Sequence, residues 1–406
     1  MKIKQSVFVI FLFIFFLPPN VIAQTIAIDN PAIQIAGGDS HRLALKEDGT
    51  VWSWGQNTYG QLGNGTNTNK SIPEKIDSFN NVKMITVGYQ HNLALKHDGT
   101  VWTWGRNYCG QLGDGTTINK NIPVQIGLTN IKYIAAGNHH SLAVRDDGTV
   151  YSWGENGLYQ LGDGTDADKN NPVQVHVLSN IISVAGGLNH SLALTKDGTV
   201  WSWGWNSNKT PVQISGIHSI KKIASGSHFS FAIEEDGTLW AWGKNDYGQL
   251  GIESTVSLEN PVQVSGIKNV KAIAAGHQHT LAIQENGMLW AWGDMAYDQF
   301  AINRSIIKSP MQISDLKNVK AISAATFNSF AIKEDGSIWA WGNDVDRLLD
   351  VRPFNYFTIP CQVKALNNIK KITAGLYHGH ALKNEGTIYS WGSNNYGQLG
   401  ATSYII

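Results

Sequence analysis

A short motif recurs eight times along this chain at a nearly constant spacing. The motif is Trp-x-Trp-Gly, with Tyr in the first place of two copies. Its glycines are Gly55, Gly105, Gly154, Gly204, Gly243, Gly293, Gly342 and Gly392. Successive glycines lie 50, 49, 50, 39, 50, 49 and 50 residues apart. A fixed period of this length is typical of solenoids, propellers and other repeat arrays, in which each repeat is one supersecondary unit.

The residues within one repeat predict β-strands and tight turns. Trp52 and Trp54 alternate with smaller residues, so their rings lie on one face of a strand. Asp48 and Gly49 precede that strand, and the other copies have Asp-Gly, Asn-Gly or, in the eighth, Glu-Gly. Asp-Gly and Asn-Gly pairs accept the positive φ angles of a tight hairpin, which fixes antiparallel pairing of the flanking strands. Four short strands in each repeat, named A to D in chain order, match one blade of a β-propeller.

The tryptophans of the motif are predicted to be structural. Fourteen of the fifteen tryptophans lie in the eight motifs, and Trp205 is the exception. A blade is too thin to have a core of its own, so wide aromatic side chains must pack between neighbouring blades. Burying one tryptophan removes about 150–250 Å² from water. These rings are therefore expected to stabilise the fold rather than to stack on sugars or nucleic-acid bases.

The repeats resemble those of the regulator-of-chromosome-condensation family. The matching text is GDSHRLALKEDGTVWSWGQNTYGQLGNGT, residues 38–66, and its seven relatives, which together run from about Ile33 to Gly400. The resemblance implies an all-β fold, a β-propeller of four-stranded blades with seven blades. The repeats themselves contain eight A–B–C segments and seven proline-containing D strands, so an eight-bladed ring would close if Thr25 to Ile28 supplied the missing outer strand. Both blade numbers stay open at this point.

The N-terminal segment, residues 1–23, is predicted to be a secretory signal peptide. Two lysines precede an apolar core of eleven residues from Val7 to Leu17, and a Val-x-Ala cleavage site ends at Ala23. A retained membrane anchor is the alternative, although such a core is short for a bilayer span. Residues 24–406 are expected to form a single propeller domain, without stable membrane insertion once the signal is removed. The predicted location is secreted, periplasmic or at the cell surface.

Charge and cysteine content narrow the class of partner. The chain has 31 basic and 31 acidic residues, a formal net charge of zero and no basic run outside the N-terminal segment. The positive footprint of a nucleic-acid-binding protein is therefore missing. The two cysteines, Cys109 and Cys361, lie in distant repeats and are expected to pack as small apolar side chains rather than to form a disulfide. We predict a monomer that binds another protein.

Two sets of metal-type ligands stand out, and both are interpreted as structural. One histidine lies three residues after the glycine that ends strand A in six repeats: His41, His91, His140, His190, His279 and His378. One histidine per blade cannot form one coordination sphere, so these side chains are expected to satisfy backbone groups in the A–B turns. Asp163, Asp166 and Asp168 share one loop, but their spacing is not that of an EF-hand. Calcium binding there is the alternative to an exposed polar loop. No catalytic set and no phosphate loop is recognisable, so neither enzymatic activity nor a cofactor is predicted.

Three C–D loops depart from the repeat and form the candidate binding site. Five loops carry a common Gln-Leu-Gly segment, whereas those at 205–210, 294–309 and 343–359 do not. A–B turns and C–D loops emerge on one face of a propeller, so their aromatic residues are expected to share one arc and to act as hot spots for a protein partner. The predicted contact residues are Trp205, Tyr297, Phe300, Phe327, Phe354, Tyr356 and Phe357. Local packing within drifted repeats is the alternative.

Three functional classes follow from these observations. The preferred class is a secreted, non-enzymatic protein-binding propeller that inhibits an extracellular enzyme through one loop face, as the resemblance to secreted bacterial β-lactamase inhibitors of this family implies. The second is a guanine-nucleotide exchange regulator like the namesake of the family, which uses a wedge inserted in one blade; here no interval exceeds 50 residues. The third is a carbohydrate-binding or hydrolytic propeller, which would need a pocket with paired carboxylates.

Overall fold

The computed structural model describes residues 24–26, 32–205, 208–294, 306–324, 328–343, 356–363, 367–374, 378–392 and 394–400. These ranges contain thirty-two β-strands and no helix, so nothing in them is a helix able to cross a lipid bilayer. The strands form eight antiparallel sheets of four strands each. Each sheet corresponds to one repeat, and the hydrogen-bonded order within it follows the order A to D.

The first four blades take their strands from consecutive segments of the chain. Blade 1 has β2 (Ala32–Gly37), β3 (His41–Lys46), β4 (Val51–Gly55) and β5 (Lys70–Lys75); blade 2 has β6 (Val82–Val87), β7 (His91–Lys96), β8 (Val101–Gly105) and β9 (Lys120–Gln125). Blade 3 has β10 (Ile131–Ala136), β11 (His140–Arg145), β12 (Val150–Gly154) and β13 (Lys169–Val175); blade 4 has β14 (Ile181–Gly186), β15 (His190–Thr195), β16 (Val200–Gly204) and β17 (Asn208–Gln213).

Blades 5 to 7 continue this pattern, and blade 8 combines both ends of the chain. Blade 5 has β18 (Ile220–Ser225), β19 (Phe229–Glu234), β20 (Leu239–Gly243) and β21 (Leu258–Gln263); blade 6 has β22 (Val270–Ala275), β23 (His279–Gln284), β24 (Leu289–Gly293) and β25 (Ile307–Gln312). Blade 7 has β26 (Val319–Ala324), β27 (Asn328–Lys333), β28 (Ile338–Asn343) and β29 (Tyr356–Gln362); blade 8 has β30 (Ile369–Ala374), β31 (His378–Lys383), β32 (Ile388–Gly392) and β1 (Gln24–Ile26).

The ring closes in blade 8, where β1 supplies the outer strand. β1 pairs with β32 in the register that sets Thr25 opposite Tyr389. At the junction of blades 8 and 1, β2 contacts β30 and β31. The seven-bladed prediction is therefore wrong, and the eight-bladed alternative is correct. A seven-bladed ring would leave the eighth A–B–C sheet outside it, whereas Gln24–Ile26 completes that sheet and joins it to the ring.

The hydrophobic core lies between neighbouring blades rather than within them. Trp104 of blade 2 is fully buried and packs in one cluster with Leu43 and Leu45 of blade 1. At the closure, Trp54 of blade 1 packs in the same way with Leu382 and Ile388 of blade 8. The structural role predicted for the motif tryptophans is confirmed, because each blade can bury its apolar face only against the next one.

The B–C hairpins form where the Asp-Gly pairs predict them. In blade 1, Gly49 has a φ of 77°, and the N–H of Thr50 donates to Asp48 Oδ1 at 2.9 Å. A residue with a side chain rarely adopts that φ, which explains why glycine occupies this place in all eight repeats. The hairpins fix the register of strands B and C, and so the position of every loop that follows them.

Candidate protein-binding face

The described A–B turns and C–D loops lie on one face of the ring, as predicted, and the B–C hairpins lie on the other. On the first face, the N–H of Gln56 at the start of a C–D loop donates to the Ser40 carbonyl of an A–B turn at 2.9 Å. On the second face, the N–H of Val82 donates to the Gly49 carbonyl of the hairpin in the preceding blade at 3.0 Å. We call the first of these the loop face.

In blades 1, 2, 3 and 5 the regular C–D loop is held together by one buried asparagine. In blade 2, Asn107 Nδ2 donates to the carbonyls of Thr116 at 3.0 Å and Ile118 at 3.1 Å, and Asn107 Oδ1 accepts from the Leu112 N–H at 2.9 Å. The same type of bonding is made in blades 1, 3 and 5 by Asn57, Asn156 and Asn245. An asparagine side chain that closes a turn in this way replaces missing backbone hydrogen bonds, so the loop is well ordered.

The Gln-Leu-Gly segment of a regular loop, which we call the plug, inserts against the next blade. The carbonyl of Gln61 accepts from Nε1 of Trp104 at 3.1 Å and from Nδ2 of Asn92 at 3.0 Å, both in blade 2. The carbonyl of Leu62 accepts from Ser53 Oγ at 2.6 Å, and the Leu62 side chain is fully buried. Because the plug satisfies donors that would otherwise be buried without a partner, its sequence is constrained by the blade itself.

The histidine series joins neighbouring blades instead of satisfying backbone groups. At five junctions the histidine Nε2 lies 2.8–3.0 Å from a side-chain oxygen on strand B of the next blade: His41–Asn92, His91–Ser141, His140–Ser191, His190–Ser230 and His279–Ser329. The predicted role was structural, but the predicted partner was wrong. The imidazole is long enough to cross the interface, whereas backbone N–H groups of the A–B turn pair with other backbone groups, as the Asp39 N–H does with the Tyr89 carbonyl at 2.9 Å.

The loop that contains the three clustered aspartates is built like the loops of the other blades. Asp163 Oδ1 accepts from Asn156 Nδ2 at 3.1 Å, and Asp168 Oδ1 accepts from the Asn156 N–H at 2.8 Å. Asp166 is exposed. In blade 2, Asn119 makes the bond that Asp168 makes here, so the carboxylate charge is not needed for it. Within the described ranges, no group of three His, Cys, Asp or Glu side chains is placed to hold a metal ion.

Cys109 is a free, half-buried thiol on the loop face. Burial raises its pKa to about 11, and the carboxylates of Asp168 and Glu155 act in the same direction. The thiol is therefore protonated at neutral pH and a poor nucleophile. The side chain of Cys361 lies outside the described residues.

Among the predicted contact residues, Trp205 alone has a described side chain. Four of them lie outside the described residues: Tyr297, Phe300, Phe327 and Phe354. Tyr356 and Phe357 begin β29, where their backbones pair with Asn343 and Gly342, and their side chains also lie outside the described part. The predicted loop 343–359 is thus shorter than expected, because its last residues form an outer strand.

Trp205 stacks on the neighbouring blade at the point where the repeat is broken. The backbone N–H of Trp205 donates to the Asn189 carbonyl of an A–B turn at 3.0 Å. Its indole lies on the His228 ring of blade 5, with ring centroids 4.2 Å apart and an interplanar angle of 32°. Burial lowers the pKa of His228 to about 4, and the positive charges of Lys244 and His277 act in the same direction. The stacked imidazole is therefore neutral at physiological pH.

A cleft opens beside Trp205 between blades 4 and 5. Its volume is about 350 Å³, and its walls include Trp205, Lys244, Asp246, Ser257, Leu258 and Glu259. At its rim, Lys244 Nζ lies 3.3 Å from Asp246 Oδ2. A smaller inner cavity of about 80 Å³ shares Trp205 and Glu259 with the cleft. The cleft lies within the size range of roughly 300–1,000 Å³ that is typical of ligand pockets.

An aromatic cluster on the regular loops of blades 1 and 2 was not predicted from the sequence. The rings of Tyr59 and Tyr108 lie edge to face with centroids 5.7 Å apart, and the Arg106 guanidinium lies 5.4 Å and 5.0 Å from them. Tyr108 is 55% exposed. Blade 1 has Thr58 at the equivalent place, so one position within the regular loop is free to vary. A comparison of single loop positions, rather than of whole loops, would have found it.

The fold and its repeated loops define an eight-bladed β-propeller built from tryptophan-glycine repeats. The protein-family model of the RCC1-like domain matches residues 16–210. Two models of the regulator of chromosome condensation (RCC1) repeat match residues 236–283 and residues 220–249, 270–299 and 369–398. The chain belongs to the regulator-of-chromosome-condensation repeat family, which confirms the resemblance seen in the repeats.

Curated relatives share about one repeat with this chain. The ultraviolet-B receptor UVR8 of Arabidopsis thaliana is 47% identical over 51 residues, which is 13% of this chain and 12% of the relative. The E3 ubiquitin-protein ligase HERC2 of Homo sapiens is 42% identical over 55 residues, which is 14% of this chain and 1% of the relative. The matched segment is thus a small part of either protein.

Solved structures have the same fold at low sequence identity. Prp20p from Saccharomyces cerevisiae superposes with a TM-score of 0.66 and 23% identity, over 88% of this chain and 94% of that one. Human WBSCR16 superposes with a TM-score of 0.65 and 20% identity, over 85% of this chain and 99% of that one. At these identities the likeness concerns the fold alone.

Proposed function

We propose that this protein is a non-enzymatic, protein-binding propeller that contacts its partner through the loop face at blades 4 and 5. The observation that carries the proposal is the stacked pair of Trp205 and His228 beside an open cleft, at the one described junction where the C–D loop is shortened. Aromatic side chains held on rigid loops dominate the energetics of many protein interfaces. Lys244, Asp246 and Glu259 supply the polar rim that such interfaces have.

Related propellers support protein binding as the general activity. The structure of Prp20p is described together with its binding to Gsp1p and histones, and a second structure contains yeast RCC1 (Prp20) bound to Kap60. Those partners are properties of Prp20p. For this chain they support the coarser idea that a propeller of this family presents a protein-binding surface.

We extend the proposal to an extracellular enzyme as the partner, inhibited when the loop face covers its active site. The support is the sequence of residues 1–23, which has the pattern of a secretory signal peptide. Nucleotide exchange has less support, because it would need a wedge inserted in a blade and no interval between repeats exceeds 50 residues.

Replacing Trp205 with alanine is the central test of this proposal. Extracellular proteins are captured on the immobilised protein, identified, purified and titrated by calorimetry. We expect Trp205→Ala to weaken binding by about 2 kcal/mol or more, roughly 30-fold in Kd, because a stacked aromatic anchor is lost. Tyr108→Ala is the matched control, since Tyr108 is an exposed aromatic on the same face but in blade 2. We expect it to change Kd less than threefold.

Two outcomes would contradict the proposal. An unchanged Kd for Trp205→Ala together with a large loss for Tyr108→Ala would place the interface on blades 1 and 2. A lower melting temperature for Trp205→Ala without any change in affinity would show that the stacked pair is local packing.

A further inference from the structure

The junction between blades 4 and 5 lacks the plug that other junctions contain. At five junctions the glutamine carbonyl of the plug accepts the indole N–H of the next blade at 2.8–3.1 Å: Gln61–Trp104, Gln111–Trp153, Gln160–Trp203, Gln249–Trp292 and Gln398–Trp54. In blade 4 the C–D loop comprises residues 205–207 and contains no Gln-Leu-Gly segment. This missing loop explains the single interval of 39 residues, between Gly204 and Gly243.

The receiving side of this junction is nevertheless intact. Ser230 pairs with Trp242 across strands B and C of blade 5, as Asn92 pairs with Trp104 in blade 2. Trp242 is 5% exposed and Ser230 is 2% exposed. Ser202 in blade 4 is equivalent to Ser53 in blade 1, which donates to the Leu62 carbonyl of the plug. Among the described residues, the Trp242 indole N–H and the Ser202 hydroxyl have no acceptor.

Trp242, Ser202 and Ser230 line the inner cavity of about 80 Å³, and His190 and Ile214 line it as well. Ser230 Oγ lies 3.0 Å from His190 Nε2 and is the only one of the three donors with a described partner. At complete junctions the same space holds a buried leucine side chain and two backbone carbonyls, as for Leu62 in blade 1. An unfilled space of this kind forfeits both hydrogen bonds and packing, which a ligand of the right shape would restore.

We infer that this cavity receives a leucine-bearing turn of the partner protein, which takes the place of the missing plug. The turn presents two consecutive backbone carbonyls. The first accepts from Trp242 Nε1 and Ser230 Oγ, and the second accepts from Ser202 Oγ, in the way that the plug carbonyls of blade 1 accept at the next junction. The leucine side chain fills the inner cavity, and the flanking residues lie in the outer cleft. This inference rests on the proposed function, because it names the partner chemistry of the same site.

A second copy of this chain is not the occupant, because its own plugs are already used. The glutamine and leucine of the plugs in blades 1, 2, 3 and 5 are at most 1% exposed. In blade 8, Gln398 is 2% exposed and accepts from Trp54 across the closure. Extracting a plug would break the junction that it fills, so the turn comes from a different protein.

A cyclic peptide that contains Gly-Gln-Leu-Gly is the probe for this site. Binding to the whole protein is followed by calorimetry and by the indole N–H resonance of Trp242 in a ¹⁵N-resolved NMR spectrum. We expect saturable binding that shifts this resonance, and at least tenfold weaker binding of the matched Gly-Gln-Asp-Gly peptide. Trp242→Phe keeps an aromatic ring of smaller size and removes the donor, so it should weaken binding about three- to tenfold. Trp240→Phe is the control in the same strand, since its buried indole N–H does not line the cavity; it should leave the affinity unchanged.

A loop graft tests the inference separately from the proposed function. Residues 155–168 of blade 3, which contain a plug, replace residues 205–207. We expect the graft to raise the melting temperature and to abolish peptide binding, because the cavity is then filled from within. Unchanged peptide binding to the graft overturns the inference, and so does no binding of the peptide to the unaltered protein at millimolar concentration.

The two proposals fail in distinguishable ways. If Trp205→Ala weakens the natural partner while the peptide does not bind, the proposed function stands and the inference is wrong. If the peptide binds as expected while the natural partner is insensitive to Trp205→Ala and to the graft, the cavity binds leucine turns but the partner uses another surface.

Discussion

Burial governs the chemistry of the histidines that join the blades. His140 is fully buried, with its Nε2 2.9 Å from Ser191 Oγ. Ser191 donates in turn to the Gln160 carbonyl of a plug at 2.8 Å. Burial lowers the pKa of His140 to about 3, with His190 and His139 acting in the same direction. The side chain is therefore a neutral hydrogen-bonding group that links a turn, a strand and a loop from adjacent blades.

We expect acid to destabilise the protein through these histidines. In the unfolded chain they titrate near pH 6.5, whereas in the fold the pKa is about 3 for His41 and His140 and about 4 for His190 and His279. Between pH 6.5 and pH 4 the unfolded state binds more protons, so stability is greatest above pH 6.5 and falls as the pH decreases through this window. Each histidine contributes a slope of up to about 1.4 kcal/mol per pH unit. Urea denaturation at pH 7, 6 and 5 measures the free energy of unfolding.

The control for this prediction is His140→Gln, which keeps a donor for the contact with Ser191 but does not titrate. Its free energy of unfolding should depend less on pH than that of the unaltered protein, by about the share of one histidine. An identical pH dependence in both proteins would show that His140 is not a buried neutral group.

The C–D loop is the element that gives each regular junction its shape. Its plug approaches the next blade so closely that a Cβ on Gly63 would lie 2.8 Å from Trp104 Nε1, and the φ of Gly63 is 66°. Glycine alone fits both conditions. The loop is then locked from within by its buried asparagine. The C–D loop, a connection that is variable in most proteins, is thus part of the core. Partner-specific contacts can then come from single exposed positions such as Tyr108 or from blades that lack the plug.

We expect Asn107→Ala to destabilise the protein by about 2–4 kcal/mol. The substitution removes two donated hydrogen bonds and leaves the Leu112 N–H without its acceptor in a buried loop. Asn67→Ala is the control, because Asn67 is an exposed residue of a C–D loop and should change stability by less than about 0.5 kcal/mol. Denaturant unfolding followed by tryptophan fluorescence measures both. A loss below about 1 kcal/mol for Asn107→Ala would mean that the plug holds the loop without the asparagine.

The ring of the whole molecule closes through a hydrogen-bonded group that contains a buried arginine. Arg42 occupies the strand-B position at this junction and is fully buried. Its Nε donates to His380 Nε2 at 2.5 Å, and its Nη1 donates to the Gly38 carbonyl at 3.1 Å. His380 Nδ1 lies 2.6 Å from Ser390 Oγ of blade 8. A buried arginine needs such partners. The groups that join blade 8 to blade 1 therefore differ from the histidine–serine pairs between blades 2 and 3, 3 and 4, 4 and 5, and 6 and 7.

We expect removal of the closing strand to loosen blade 8 before the other blades. A chain that starts at residue 32 lacks β1, and a chain that starts at residue 24 is the matched control. The shorter chain should melt a few degrees lower, and the amides of β32 should exchange faster with deuterium, while those of β12 in blade 3 should not change. A synthetic peptide of residues 24–31 should restore part of the protection. Equal protection of β32 in both chains would show that β1 does not hold the ring closed.

The repeat unit and its local structure could be predicted from the amino-acid sequence. Residues within one repeat specify the alternation of Trp52 and Trp54 along a strand and the hairpin at Gly49, because their conformational preferences act locally. The same residues also predict that wide rings are buried between blades. The sequence also pointed to Trp205, because a residue that breaks a repeat is visible without coordinates. For the same reason the eighth A–B–C segment could be counted, although the family resemblance favoured seven blades.

Contacts between distant segments establish how many blades close the ring, what the interface histidines bind and where a cavity is left. The pairing of Thr25 with Tyr389 joins residues from opposite ends of the chain, and no local preference encodes it. The bond between His41 and Asn92 joins blade 1 to blade 2. The space beside Trp242 of blade 5 exists because blade 4 lacks a plug. Such features are set by which surfaces meet, and contacts between distant segments become defined only when the whole ring is packed.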